Sequence, residues 1–126
     1  MDIVCGTDLT DPAEEAKLWE YMLTHKPKLV IAGPPCTAMG PWSHYNRVYH
    51  FETWSRNWKV GVHLARIVAQ ICYHQLSVGN HFLVENPLTS ELWNLTMFRH
   101  LFNVPGVAFA RCDQCMKGLV LSLIHI

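Results

Sequence analysis

Two short apolar segments, each closed by glycine or proline and a polar side chain, constrain the fold of this chain more than any other feature. The first, residues 28–33, leads to Cys36 through two prolines, and the second, residues 81–84, leads directly to Glu85. Short apolar runs bounded in this way are typical of strands buried on both faces of a parallel sheet. The sequence therefore predicts two strands whose carboxyl ends deliver a cysteine and a glutamate.

Apolar residues recur at helical spacing between these two predicted strands. The period runs from Trp58 to Val78 and stops at a Gly-Asn pair, which commonly terminates a helix. A strand, a crossover helix and a second strand of this length form a right-handed βαβ unit with parallel strands. Ligands of such sheets bind beyond the carboxyl ends of the strands, so Cys36 and Glu85 are predicted to face one site.

Three further segments complete the predicted order of elements. Asp11, Pro12 and Glu14 combine a capping box with a proline at the first helical position, which predicts a helix that lasts until the Lys-Pro pair at residues 26–27. Residues 39–54 show no period and are predicted to form a long, accessible loop, and residues 90–102 a helix. The predicted fold class is α/β, a mainly parallel sheet with flanking helices.

Composition excludes several classes of protein. The chain has 126 residues, half of them hydrophobic and 16% charged, which suits one packed domain and argues against a disordered tail. Ten basic and ten acidic residues cancel, so charge gives no support for a strongly basic nucleic-acid binder. No apolar run reaches the roughly 18 residues that cross a bilayer, and the first residues lack the signal-peptide pattern. We expect an intracellular protein without a membrane partner.

The cysteines and histidines do not predict a metal site. Five cysteines are an odd number without the spacing of a disulfide scaffold, so reduced thiols are expected. Cys112 and Cys115 form the one CxxC, and no second pair completes four zinc ligands. His63 and His74 lie on the predicted long helix without the four-residue spacing that two metal ligands require. Cys5 and Cys72 are predicted to be small buried apolar residues.

The cysteine and glutamate segments together resemble a known enzyme family. GPPC at residues 33–36 and VENP at residues 84–87, separated by a predicted helix, resemble two catalytic loops of the DNA cytosine-C5 methyltransferases. The resemblance covers about residues 5–100. It implies a partial Rossmann-like S-adenosylmethionine-dependent methyltransferase fold. It also implies transfer of a methyl group from S-adenosylmethionine to carbon 5 of cytosine in DNA.

The resemblance also implies a role for each matching residue. Cys36 would be the nucleophile that adds to the sixth ring position of a flipped cytosine. Glu85 would bind the same base and stabilise the charge that develops during the attack. The remaining residues implied at the site are Pro35, Asn86 and Arg47 for the DNA substrate, and Asp8, Gly33 and Pro34 for S-adenosylmethionine. Trp42, His44 and Tyr45, in the segment after the cysteine, are further candidates for contact with phosphate or base.

This chain departs from the family pattern at several positions. Thr37 stands where the family has glutamine, and Pro87 stands where it has valine. The glycine-rich cofactor loop expected before Asp8 and a later Gln-Arg segment are not found in the sequence. We therefore expect a divergent, mobile-element-encoded member in which residues 1–120 form a partial catalytic domain, nuclear if the source is eukaryotic. Residues 121–126 resemble a translated transposase adapter and are expected to be non-native, with a genuine strand as the alternative.

Other functions fit the same residues. The first is a catalytically dead methyltransferase-like module of a transposon polyprotein that serves binding or assembly. The second is a cysteine-dependent hydrolase in which Cys36 works with His44 or His50. Glu85 would then be a solvated or helix-capping acid, a common role for an acidic residue after a strand.

Overall fold

The computed structural model describes residues 8–112. Helix-capping and helix-terminating residues in the sequence separate its elements. Within that range the chain forms four α-helices and two strands. In order they are α1 (Pro12–His25), β1 (Leu29–Ala32), α2 (Ser43–Tyr49), α3 (Phe51–Ser77), β2 (His81–Val84) and α4 (Thr96–Phe102), with a 3₁₀ helix at Glu91–Asn94 before α4.

Helix α1 begins and ends as its sequence predicts. The Asp11 side chain accepts a hydrogen bond from the backbone N–H of Ala13 at 2.9 Å, and Pro12 occupies the first turn, where no N–H is needed. Lys26 ends the helix in the left-handed conformation, with φ of 46°, and its N–H bonds to the Met22 carbonyl. The proline that follows cannot continue the helix. The predicted cap, the proline and the terminator are thus confirmed. The capping box is not closed, because the Glu14 carboxylate accepts from Lys17 and the Asp11 N–H donates to the Asp8 carbonyl.

The two strands pair in parallel, as the βαβ pattern predicts. The register joins Leu29 to His81 at one end and Ala32 to Val84 at the other. The molecule is therefore a mixed α/β protein with a two-stranded parallel sheet among residues 8–112. Parallel strands need a crossover connection, and α3 lies within it.

Helix α3 organises the core because it buries two of its sides. Ala65, Ala69 and Cys72 pack with residues of the segments before and after the sheet, Met39 and Phe98 among them. Ile67 and Ile71 pack instead with Met22 of α1, together with Val30 of the sheet. The tryptophans predicted to be core residues are half-buried and pack on these clusters: Trp58 and Trp93 on the first, Trp19 on the second.

One face of the sheet is covered and the other is not, which corrects the prediction of strands buried on both faces. Phe82 and Val84 are half-buried against the core formed by α3 and α4. Leu29, Ile31 and Leu83 point to the opposite face and are exposed. The apolar character of these side chains predicted that this face is buried as well, but no element among residues 8–112 covers it.

The predicted loop over residues 39–54 is wrong, because α2 and the first turn of α3 lie there. Sequence periodicity missed them because their contacts are largely polar. The indole N–H of Trp54 in α3 donates to the buried Ser43 hydroxyl of α2 at 3.0 Å and to the Ala38 carbonyl at 3.2 Å. An exposed aromatic surface on α2 also hides the usual pattern of one apolar and one polar face.

The predicted single helix over residues 90–102 is interrupted. Leu95 adopts extended backbone angles and separates the 3₁₀ helix from α4. Ser90 caps the first piece through its hydroxyl, which accepts from the Leu92 N–H at 3.2 Å. The predictions for Cys5, Cys115 and residues 121–126 fall outside the described residues. None of the helices within residues 8–112 combines the length and the apolar character needed to cross a bilayer.

Candidate active site at the carboxyl ends of the strands

Strand register brings the Cys36 loop and the Glu85 turn to one edge of the sheet. Ala32 and Val84 are partners at the ends of β1 and β2, and the Glu85 N–H donates to the Ala32 carbonyl at 2.9 Å. One oxygen of the Glu85 carboxylate lies 3.9 Å from the position that a Cβ on Gly33 would occupy. The structure therefore places this carboxylate beside the loop that carries Cys36, and both Glu85 and Cys36 are exposed.

Asn86 joins the two loops directly. Its side-chain N–H donates to the carbonyl of the buried Pro34 at 2.7 Å. Its side-chain oxygen is buried and has no hydrogen-bond partner among residues 8–112. A buried acceptor without a partner destabilises the folded state. The same amide group makes the hydrogen bond that fixes the distance between the two loops. Asn86 therefore acts as a brace, while its contact with DNA remains a prediction.

Cys36 sits on an exposed turn with a buried base. Its carbonyl accepts hydrogen bonds from the N–H groups of Met39, at 3.0 Å, and Gly40, at 2.6 Å. Met39 is buried in the core, and its own carbonyl accepts from the Glu91 N–H at 2.7 Å. The thiol is free and exposed, as predicted from its place after the strand. Cys36 is thus exposed to solvent, and the hydrogen bonds from Met39 and Gly40 fix the backbone of its turn.

A further set of contacts, which the sequence did not predict, holds the turn after Glu85. The Pro87 carbonyl accepts from the Trp93 indole N–H at 2.8 Å and from the Ser90 N–H at 2.9 Å. Ser90 is buried, although it precedes a helix and its capping role is visible in the sequence. The local sequence does not predict that Trp93 donates to the Pro87 carbonyl, because this contact depends on how the 3₁₀ helix folds back.

The residues predicted for S-adenosylmethionine come from two separate segments. Gly33 is exposed in the loop after β1, whereas Pro34 is buried and its carbonyl is used by Asn86. Asp8 lies in the turn before α1, where one carboxylate oxygen accepts from the Thr10 N–H at 2.9 Å and the Thr10 hydroxyl at 2.7 Å. These two hydrogen bonds hold the pKa of Asp8 below its ordinary value.

The two remaining predicted substrate residues lie in different kinds of structure, Pro35 in the loop and Arg47 in a helix. Pro35 is exposed next to Cys36. Arg47 lies on α2, where its guanidinium carbon sits 5.5 Å from the centre of the Trp54 ring. Such a cation–π contact positions the charge on the surface of the α2–α3 pair.

Neither of two cavities among residues 8–112 includes the reactive groups of the site. The larger, of about 300 Å³, adjoins the amino ends of the strands, at the opposite edge of the sheet from Cys36. The smaller, of about 70 Å³, lies between the cysteine loop and α3. The larger is lined by Met22, Leu23, Lys26, Lys28, His74, Val78 and Asn80, and the smaller by Pro35, Thr37, Ala38, Asn57, Val60 and Gly61.

The thiols and histidines of the described chain differ in chemical availability. Burial raises the pKa of Cys72 to about 12, so this thiol is an inert part of the core. Between residues 8 and 112 no three His, Cys, Asp or Glu side chains lie close enough together to hold a metal ion. Exposed Cys36 thus stands apart from Cys72 as a candidate nucleophile.

Comparison with protein-family models, with curated proteins and with solved structures finds no match for this chain. The resemblance at residues 33–36 and 84–87 therefore depends on the residues of this chain. The structure adds the spatial relation of those two segments, which the sequence alone expressed only as an expectation.

Proposed function

We propose that this protein is a divergent DNA cytosine-C5 methyltransferase in which Cys36 is the nucleophile and Glu85 the base-binding acid. The observation that carries the proposal is the approach of the Glu85 carboxylate to Gly33, in the loop that leads to Cys36. An exposed thiol and a carboxylate at neighbouring strand ends are the two groups that covalent attack on a pyrimidine requires. The GPPC and VENP sequences resemble the methyltransferase family in the residue types at these two positions.

The wider fold we propose is Rossmann-like. Two parallel strands with α1 and α3 packed on one face agree with part of such a sheet. Parallel sheets in α/β proteins are covered on both faces, and the exposed Leu29, Ile31 and Leu83 would be buried by helices of the second layer. The uncovered apolar face thus supports a larger sheet–helix sandwich.

The proposed reaction begins when the Cys36 thiolate forms a bond to carbon 6 of a cytosine turned out of its duplex. The electron pair of the 5,6 double bond moves toward the ring nitrogen, to which Glu85, protonated in this step, donates its proton, while the other Glu85 oxygen accepts a hydrogen bond from the amino group. S-Adenosylmethionine, when bound, supplies the methyl group that carbon 5 takes up. Loss of the proton on carbon 5 then restores the double bond and expels the Cys36 thiolate.

Part of the methyl-donor site is compatible with the described residues. Gly33 offers an exposed backbone next to the cysteine loop, and Asp8 offers a carboxylate kept charged by Thr10. Pro34 is buried, and its carbonyl already accepts a hydrogen bond from Asn86. We therefore assign Pro34 a role in shaping the loop and leave Gly33 and Asp8 as the candidates for contact with the donor.

Trapping the covalent adduct tests the proposal. A DNA duplex that contains 5-fluorocytosine cannot lose a proton from carbon 5, so an adduct to Cys36 should accumulate when S-adenosylmethionine is present. Mass spectrometry of the digested protein would locate the adduct. Cys36→Ser should abolish it, Glu85→Gln should reduce its rate, and Cys72→Ser should leave it intact, because Cys72 is buried away from the site.

A duplex that binds normally without any adduct would overturn the methyltransferase proposal and favour a dead binding module. Hydrolysis of an ester that depends on Cys36 and needs no methyl donor would overturn it in favour of a hydrolase. An adduct that persists in Cys36→Ser would place the nucleophile elsewhere.

A further inference from the structure

The larger of the two cavities combines basic and apolar side chains. It lies where the ends of α1 and α3 meet the starts of the two strands, and its volume of about 300 Å³ is at the lower end of cavities that hold small organic ligands. Lys26 and Lys28 supply two ammonium groups, and His74 and Asn80 add polar side chains. No acidic residue of the described range 8–112 lines it. We call this space the basic cavity.

The two lysines of the basic cavity have no counter-ion in the described part of the chain. Each ion pair found within residues 8–112 uses Glu14 or Glu15 of α1, and neither Lys26 nor Lys28 takes part in one. Like charges that line one cavity repel each other, and a bound anion replaces that repulsion by attraction.

Lys26 holds its place at a conformational cost. Its backbone is left-handed, with φ of 46°, at a helix end where glycine is the usual residue. Strained backbone of this kind is concentrated at functional positions. The dipole of α1 favours a cation at residue 26, but it does not account for Lys28, which lies beyond the helix and just before β1.

Buried contacts fix the segments that line the basic cavity. Gln75 is fully buried, and its side-chain N–H groups donate at 2.9 Å to the carbonyls of Pro27, which separates the two lysines, and His81, the first residue of β2. The His74 imidazole packs edge-on against Trp19, with ring centres 5.8 Å apart. A cavity held in this way loses little conformational entropy when a ligand binds.

The remaining lining residues favour a ligand with an apolar part. Met22 is buried, whereas Leu23 and Val78 are 60% and 52% exposed. Lysine binds phosphate as a point charge, while a carboxylate is more often held by the forked guanidinium of arginine. No arginine of residues 8–112 lines the basic cavity. These side chains therefore favour a phosphate group over a carboxylate.

We propose that the basic cavity binds a small phosphate monoester that carries an apolar group. Lys26 and Lys28 contact the phosphate, and the apolar group lies against Leu23 and Val78, where it is removed from water. The basic cavity lies at the opposite edge of the sheet from Cys36, so the proposal stands independently of methyl transfer.

An NMR titration of the full 126-residue chain tests the proposal, because shifts of backbone N–H signals report both affinity and location. The probes are phenyl phosphate, inorganic phosphate, benzyl alcohol and benzoate. Phenyl phosphate should shift the signals of Lys28 and Asn80. It should bind at least about tenfold more tightly than inorganic phosphate or benzyl alcohol, because it alone uses both the cations and the apolar surface. Benzoate should bind at least about threefold less tightly than phenyl phosphate.

Lysine variants separate binding from a structural role. Lys26→Gly together with Lys28→Gln should weaken phenyl phosphate binding at least about tenfold. Lys17→Gln removes the same charge from a lysine of α1 that pairs with Glu14 and should leave binding unchanged. Lys26→Gly alone should weaken binding while the melting temperature stays the same or rises, because glycine adopts the left-handed conformation without strain.

A pair of variants at the cavity lining isolates the charge. Val78→Asp places a carboxylate beside the lysines and should abolish detectable binding of phenyl phosphate. Val78→Asn has nearly the same size without the charge and should lose at most about fivefold. Circular dichroism confirms that each variant is folded.

Several results would overturn the proposal. They are phenyl phosphate that leaves the Lys28 and Asn80 signals unmoved at low salt, equal binding of benzoate, and equal weakening by Lys17→Gln. Equal binding by folded Val78→Asp and Val78→Asn would also exclude it. A lower melting temperature of Lys26→Gly with unchanged binding would identify Lys26 as a cation kept only for the helix dipole.

Discussion

Replacing Gly40 with alanine is expected to strain the turn that presents Cys36. A Cβ at position 40 would lie 2.9 Å from the Cys36 carbonyl oxygen and 3.7 Å from the Cys36 Cβ. Because the closest atom is backbone, a side-chain rotation cannot relieve the contact. The same carbonyl accepts hydrogen bonds from Met39 and Gly40, so its displacement disturbs both.

The size of the effect follows from two opposing terms. Overpacking a tight site costs about 1–3 kcal/mol. Exchange of glycine for alanine recovers about 0.4–1 kcal/mol by restricting the unfolded chain. The net loss of unfolding free energy is therefore about 0–2.6 kcal/mol, with a central value of about 1.3 kcal/mol, which corresponds to a fall in melting temperature of about 5 °C for a domain of this size.

Gly33 provides a matched control in the same loop. A Cβ there would meet only the Glu85 carboxylate, at an ordinary contact distance of 3.9 Å. Thermal unfolding followed by circular dichroism should show Gly33→Ala unchanged or slightly stabilised and Gly40→Ala destabilised. Equal melting temperatures for the two variants and the wild type would refute the reasoning, because the turn would then relax at no cost.

Three further measurements probe the core, the thiols and a charged turn. Gln75→Leu removes a fully buried side-chain amide that donates at 2.9 Å to the carbonyls of Pro27, just before β1, and His81, the first residue of β2. Urea unfolding should show a loss of about 2 kcal/mol in unfolding free energy. An unchanged midpoint would contradict this. Iodoacetamide at mildly alkaline pH should label Cys36 in the native protein and Cys72 only after unfolding, and rapid native labelling of Cys72 would contradict the burial that raises its pKa to about 12. Hydrogen bonds from Thr10 lower the pKa of Asp8, so any stability they contribute is present at neutral pH and is lost as the pH falls through that lowered pKa. In an NMR titration Thr10→Val should raise the Asp8 pKa toward its ordinary value, and an unmoved titration would show that the hydroxyl contributes nothing.

Several elements were predictable because their signals are local. Asp11 and Pro12 specify the start of α1 through one cap and one missing N–H, and both act within a single turn. The apolar period of α3 after Trp58 and the short runs of β1 and β2 are likewise contained in their own segments. The predicted parallel pairing followed from the length of the connection between the strands.

Other features depended on contacts that no local pattern records. Helix α2 is held by the hydrogen bond from the Trp54 indole to Ser43, a polar contact between two different helices. The break at Leu95 falls inside a continuous apolar period. For the candidate site, sequence predicted that Cys36 and Glu85 follow neighbouring strands, while the Trp93 contact that steadies the second turn had no signal.

By itself, the sequence determined the two strands, α1 and the later part of α3, and that a thiol and a carboxylate follow the two strands. The tertiary structure decided that the Glu85 carboxylate lies beside Gly33 of the cysteine loop, because the register of β1 and β2 sets the two strand ends side by side. It also decided that Asn86 ties its turn to Pro34, a hydrogen bond between residues far apart in the chain. Local backbone preferences act over a few residues, whereas the site is assembled by contacts that exist only once the core has formed.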